Sequence, residues 1–204
     1  MSDLQFETAQ KLRNNGQIEK AVAIYKNIRA ECLHMIGVAY YQTKEFGKAE
    51  TYLKNCLKEF REQKNNESVG FVFRDLGMVY LEKGDLKKSQ DYLVKSVNIL
   101  KKSGNVGHEG ISRVKLGRLF AKQKKFNKAT QLTKEGILLL TKSKENFFLS
   151  TAYFDYAKLL LIKGQTELAR NEILKSLKIL DQFWRKDEFL ERRKEMKKLL
   201  DEIK

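Results

Sequence analysis

Catalysis near neutral pH draws mainly on histidine, cysteine and paired carboxylates. This chain of 204 residues holds only two histidines, His34 and His108, far apart in sequence, and two cysteines, Cys32 and Cys56. No Cys-x-x-Cys pair, no His-Glu-x-x-His helix and no glycine-rich phosphate loop occurs. The run GNVGHEG (104–110) follows no strand-like segment and reads as a loop that leaves His108 solvated. Both cysteines read as inert thiols. These residues point away from an enzyme, and neither a metal site nor a cofactor is expected. The abundant chemistry is basic: Lys and Arg number 41 against 26 acids, a net charge of +15. The excess is uneven, since residues 110–144 carry ten Lys/Arg and a single acid, Glu135. Two readings follow, a solvated lysine-rich surface or a basic strip that steers an acidic partner.

The elements that position these bases are helical. There is no proline, 42% of the residues are hydrophobic and 33% are charged, so the chain suits long helices around a core. No apolar run is long enough to span a membrane. The N-terminus MSDLQFETAQKLRNNG lacks a secretory signal, and two cysteines are too few for a disulfide scaffold, so a cytoplasmic location is expected. A step of forty residues dominates the pattern. Gly37, Gly77, Gly117 and Ala157 form one series, Tyr40, Tyr80, Phe120 and Leu160 another, and Ala49, Ser89, Ala129 and Ala169 a third. A mid-helix glycine lowers helix propensity by about 1 kcal/mol, which is tolerable where another backbone passes too close for a side chain. Gly77 and Ser89 are therefore placed where two helices of one unit cross. Within each unit an amphipathic helix, a turn such as Gly84-Asp85 and a second amphipathic helix make a hairpin. Such a hairpin buries its apolar face only by stacking on its neighbours.

This pattern resembles the tetratricopeptide repeat, with its W-x2-L-G-x2-Y and A-x3-F signatures. The third unit has Phe73, Leu76, Gly77, Tyr80, Ser89 and Leu93, and the second has Leu33, Ile36, Gly37, Tyr40, Ala49 and Leu53. The fourth keeps Leu116, Gly117, Phe120 and Ala129 but places Arg113 and Thr133 at two large-residue positions. The period of forty, rather than thirty-four, is similar to that of kinesin light chain, spindle-orientation adaptors and peptide-sensing bacterial regulators. The resemblance implies an all-α fold, a right-handed α-solenoid of about five hairpins and a capping helix, eleven helices in all. The units fall at about 2–29, 30–69, 70–109, 110–149 and 150–186 of a 1–186 array, with the cap over 187–204. The cap's apolar stripe is Phe189, Leu190, Met196, Leu199, Leu200 and Ile203; docking a partner is its other reading. Ala21 and Ala49 stand only twenty-eight residues apart, so the first two units join without a loop. A tight turn near Arg29-Ala30 is expected there, with one long helix as the alternative.

The same resemblance implies that the first helix of each hairpin lines an inner groove. Its phase gives His34, Val38, Arg74, Met78, Val114, Arg118, Phe154 and Lys158 as the peptide-binding residues. Apolar groups there alternate with bases, which suits an acidic amphipathic segment of another protein. Lys87, Lys88, Lys124 and Lys125 read instead as ordinary outer-surface lysines. The expected function is a non-enzymatic interaction adaptor or scaffold, monomeric or weakly dimeric, without a membrane partner. A regulatory peptide sensor is the alternative, although repeats and cap leave no room for an output domain. Nucleic-acid binding through the basic fourth unit ranks lower, because groove aromatics for base stacking are sparse.

Overall fold

The computed structural model describes residues 2–182 and 190–203. Phe189 and the boundary at 186/187 lie outside the described residues. Within them the chain forms ten helices and no strand. They are α1 (Ser2–Asn14), α2 (Ile18–Gln42), α3 (Phe46–Glu62), α4 (Asn66–Glu82) and α5 (Leu86–Ser103), then α6 (Val106–Lys122), α7 (Phe126–Ser143), α8 (Asn146–Ile162), α9 (Thr166–Asp181) and α10 (Leu190–Glu202). The chain divides into two compact units, Met1–Ile99 and Leu100–Lys204.

One turn geometry recurs with a step of twenty residues. Lys44, Lys64, Gly84, Gly104, Lys124, Lys144 and Gly164 all have left-handed backbones, with φ between 55° and 83°. At each, the following N–H bonds back to a carbonyl five residues earlier, as in Glu45 to Tyr40 and Lys125 to Phe120. The left-handed residue's own N–H bonds to a carbonyl three residues back. That pair of bonds is the Schellman closure, which satisfies carbonyls orphaned by the helix end. Glycine enters this conformation freely; four lysines enter it under strain.

The first turn breaks the step. It lies at Gly16, twenty-eight residues before Lys44. α2 then runs unbroken for 25 residues, so no turn occurs near Arg29-Ala30 and the structure has ten helices rather than eleven among the described residues. The physical reason is local: YKNIRAECLH contains no glycine or proline to stop a helix. One helix thus serves as the second helix of the first unit and the first helix of the second.

In the unit Met1–Ile99 the core gathers Leu53, Phe60, Val72, Phe73, Leu76 and Val79, all at most 4% exposed. Burying each such side chain contributes about 1.5–3 kcal/mol. Ser89 donates its hydroxyl to the carbonyl of Gly77 at 2.8 Å, which places the expected crossing. A second close approach lies two turns away, where Ser96 donates to the carbonyl of Gly70 at 2.8 Å. The unit Leu100–Lys204 repeats the device with Gly117 against Ala129, Gly110 against Gly136, and Ser150 against Ser176. α10 covers the end of this unit: Met196 is fully buried and packs with Phe154, Ile173 and Leu180, flanked by Leu199 and Leu200.

Candidate functional site

In the unit Met1–Ile99 the expected groove residues come from α2 and α4. Asp75, one position from Arg74, gathers two of them. His34 Nε2 lies 2.7 Å from one carboxylate oxygen of Asp75, and Arg74 Nε donates to the other at 3.0 Å. Burial raises the Asp75 pKa, but Arg74 and His34 outweigh it and hold the carboxyl well below the usual range. The guanidinium of Arg74 also rests 5.7 Å from the centre of the Phe71 ring. Neighbouring Cys56 is buried, and burial together with the charge of Asp75 pushes its thiol up to about 12. A thiol so protonated is no nucleophile. Val38 is half-buried, while Met78 is only 4% exposed.

In the unit Leu100–Lys204 the residues come from α6, α8 and α10. Arg118 holds Asp155 with two bonds, Nε at 2.5 Å and Nη2 at 2.8 Å. One step on, Lys158 Nζ donates to Glu195 at 2.6 Å and sits 4.1 Å from the centre of the Phe154 ring. The two pairs repeat one rule, a base on one first helix and an acid thirty-seven residues later. Arg192, from α10, donates Nη1 to the Thr151 hydroxyl at 2.7 Å and lies over the Phe147 ring. Burial, and then the charge of Arg118, push its pKa below the ordinary value. Arg113, the odd residue at a large-side-chain position, pairs with Glu109 and with Glu135, the single acid of 110–144.

The geometry corrects two expectations. Met78, Val114 and Phe154 are 4%, 3% and 3% exposed, so they pack between helices rather than offering anchors to a ligand. The bases Arg74, Arg118 and Lys158 are engaged by Asp75, Asp155 and Glu195, three acids outside the groove set expected from sequence. Their signal is present in the chain: Asp155/Lys158 and Glu195/Lys198 repeat an acid three residues before a base at the forty-residue step. Among the described residues no group of three or more His, Cys, Asp or Glu is placed to hold a metal, and no helix is long and apolar enough to cross a membrane.

Residues 29–102 match the family model of the tetratricopeptide repeat. Residues 29–102 carry tetratricopeptide repeats. No curated protein matches it in sequence. Solved structures place the fold across nearly the whole length. BtubC from P. vanneervenii is 13% identical with a TM-score of 0.68, over 99% of this chain and 80% of that one. Nearly identical TPR-like repeats from Podosopora anserina are 17% identical with a TM-score of 0.60, over 86% and 92%. A chain of the APC/C hetero-tetramer Cut9–Hcn1 is 18% identical with a TM-score of 0.65, over 98% and 36%. Such repeats support a protein-interaction scaffold.

Proposed function

We propose that the protein is a non-enzymatic adaptor that holds an acidic segment of another protein on the faces of its first helices. The observation that carries this reading is the charge of the α6–α8–α10 face. Arg118, Lys158 and Arg192 stand there against two carboxylates, Asp155 and Glu195. Arg192 is partly desolvated and, among the described residues, bonds only to the neutral Thr151 hydroxyl. A carboxylate arriving beside it relieves the repulsion from Arg118 and gains charge-assisted bonds in a cleft where they exceed those of an exposed pair. The Arg74–Asp75–His34 cluster is already satisfied within its own unit and contributes shape rather than surplus charge. Cytoplasmic residence and a monomeric or weakly dimeric state fit this role.

Capture from native lysate tests it. Lys158→Gln with Arg192→Gln should abolish partner capture, while Lys101→Gln with Lys142→Gln, an equal change of charge on second helices, should spare it. Equal loss from both pairs makes diffuse charge attraction the mechanism and ends the reading.

A further inference from the structure

The seven evenly spaced turns do not carry charge alike. In the unit Met1–Ile99 the residue after the left-handed position is an acid at the α2–α3 and α4–α5 turns, and the neutral Gln17 at the α1–α2 turn. Glu45 pairs with Lys48 at 2.6 Å, and Asp85 pairs with Lys88 at 3.0 Å. Asp85 also accepts the backbone N–H of Lys88, capping α5. Lys83, at the same edge, is held by Glu50 at 2.6 Å. Lys48, Lys83 and Lys88 thus each have a carboxylate of their own unit.

In the unit Leu100–Lys204 the matching position is the neutral Gln165 at the α8–α9 turn and a base at the α6–α7 turn. Lys125 stands where Glu45 and Asp85 stand eighty and forty residues earlier, and Thr130 stands in the place of Glu50. Lys125 makes no side-chain cap to α7. Lys124, Lys125 and Lys128 make no ion pair among the described residues, and Lys163 donates only to the amide oxygen of Asn127, at 3.1 Å. Lys125 and Lys128 lean on the face of the Phe120 ring, with Lys128 Nζ 4.3 Å from its centre. The four lysines wall an open cleft of about 590 Å³, whose other lining is Phe126, Asn127 and Ile162. Ile162 is 55% exposed, a large apolar side chain left in water among cations.

This edge opposes the stability of its own helix. Three lysines surround the positive end of the α7 dipole, where an acid would stabilise. The left-handed Lys124 backbone adds to the cost, as Lys44 does at the Glu45 turn, but there the acid offsets it. A turn built against local stability on one edge, beside equivalent turns built for it, marks a surface shaped by an external anion.

We propose that the cleft walled by Lys124, Lys125, Lys128 and Lys163 docks an acidic segment of a partner protein, a stretch of Glu or Asp carrying one aliphatic side chain for Ile162. Charge complementarity names the acid. The exposed aliphatic Ile162, and walls made of ammonium groups without a guanidinium, favour a peptide over a nucleic acid. Ile162 lines both this cleft and the hollow beside Lys158 and Glu195, so the two surfaces adjoin on α8.

The test uses a fluorescein-labelled peptide of alternating Glu-Glu-Leu triplets, its Gln-for-Glu counterpart, and an oligo-dT strand as competing probes. The wild-type chain should bind the Glu peptide and not the Gln peptide. Lys125→Asp supplies the cap and the Lys128 partner found at Asp85, so it should raise the melting temperature while weakening the peptide roughly tenfold or more. Lys101→Gln with Lys142→Gln, outside the cleft, should leave this affinity unchanged, which separates the cleft from diffuse charge attraction. The proposal is overturned if wild type binds neither peptide, if the two peptides bind alike, if Lys125→Asp binds as wild type does, or if oligo-dT binds more tightly through the same lysines.

Discussion

Gly136 lies where two helices of one hairpin nearly touch. An added Cβ would stand 2.5 Å from Val114 Cγ2 and 2.8 Å from the carbonyl oxygen of Gly110. Real Cβ atoms do not approach so near, and the second of these neighbours is backbone, which moves only with its whole helix. Alanine in a helix interior gains about 1 kcal/mol over glycine from propensity. Overpacking a close-packed crossing costs about 1–3 kcal/mol. Backbone contact puts Gly136 at the upper end, so Gly136→Ala should destabilise by roughly 1–2 kcal/mol net. For a chain of this size that lowers the melting temperature by about 2–8 °C. Gly47 supplies the comparison, being helical with nothing within 4 Å of the point where a Cβ would stand. Gly47→Ala keeps only the propensity gain and should raise the melting temperature slightly. Thermal melts followed by circular dichroism measure both. A Gly136→Ala melt at or above wild type, alongside a raised Gly47→Ala melt, would refute the close approach and the packing argument with it.

Lys64 and Lys144 hold left-handed backbones at φ 55° and 60°. Replacing either by glycine should therefore stabilise, by about 0.5–1 kcal/mol in urea titrations, where glycine elsewhere in a helix destabilises. Arg29→Pro should cost about 3 kcal/mol or more by breaking the ladder inside α2, as circular dichroism and melts would register; a turn at that point would tolerate it. Burial raises the Glu50 pKa, but hydrogen bonds from Lys54, Lys83 and Tyr80 outweigh it and bring it down to about 2 from 4.5. A depressed carboxyl stabilises the fold above its unfolded value and loses that contribution as the pH falls through the folded one. Stability should thus decline between pH 4.5 and about 2, and Glu50→Gln should flatten that part of a pH-dependent urea titration.

The repeat was legible because small residues inside amphipathic helices have one economical explanation. Gly37, Gly77 and Gly117 recur at forty residues, and in the structure an added Cβ at each would meet Leu53, Leu93 or Thr133 of the paired helix. The second line of contacts, Gly70 to Ser96 and Gly110 to Gly136, was less legible, since Gly70 and Gly110 also read as loop or helix-start residues. Hairpin existence followed from local pattern, and so did the capping stripe of Met196, Leu199 and Leu200.

What only the tertiary structure decided concerns geometry that side-chain identity does not encode. Lysine has no preference for a left-handed backbone, yet Lys44, Lys64, Lys124 and Lys144 adopt one because helix packing on both sides fixes the turn. The missing turn in α2 depended on the absence of a stop signal, and absence weighs little against a strong expectation of regular units. Exposure was the least legible property. Met78, Val114 and Phe154 lie on the phase of a binding face, but whether that phase meets solvent or a neighbouring helix is set by how closely the hairpins stack. The same distance set the partners of the bases: Arg118 and Lys158 reach Asp155 and Glu195 because successive first helices lie side by side. Sequence determined which residues share a face; packing determined which of them water can still reach.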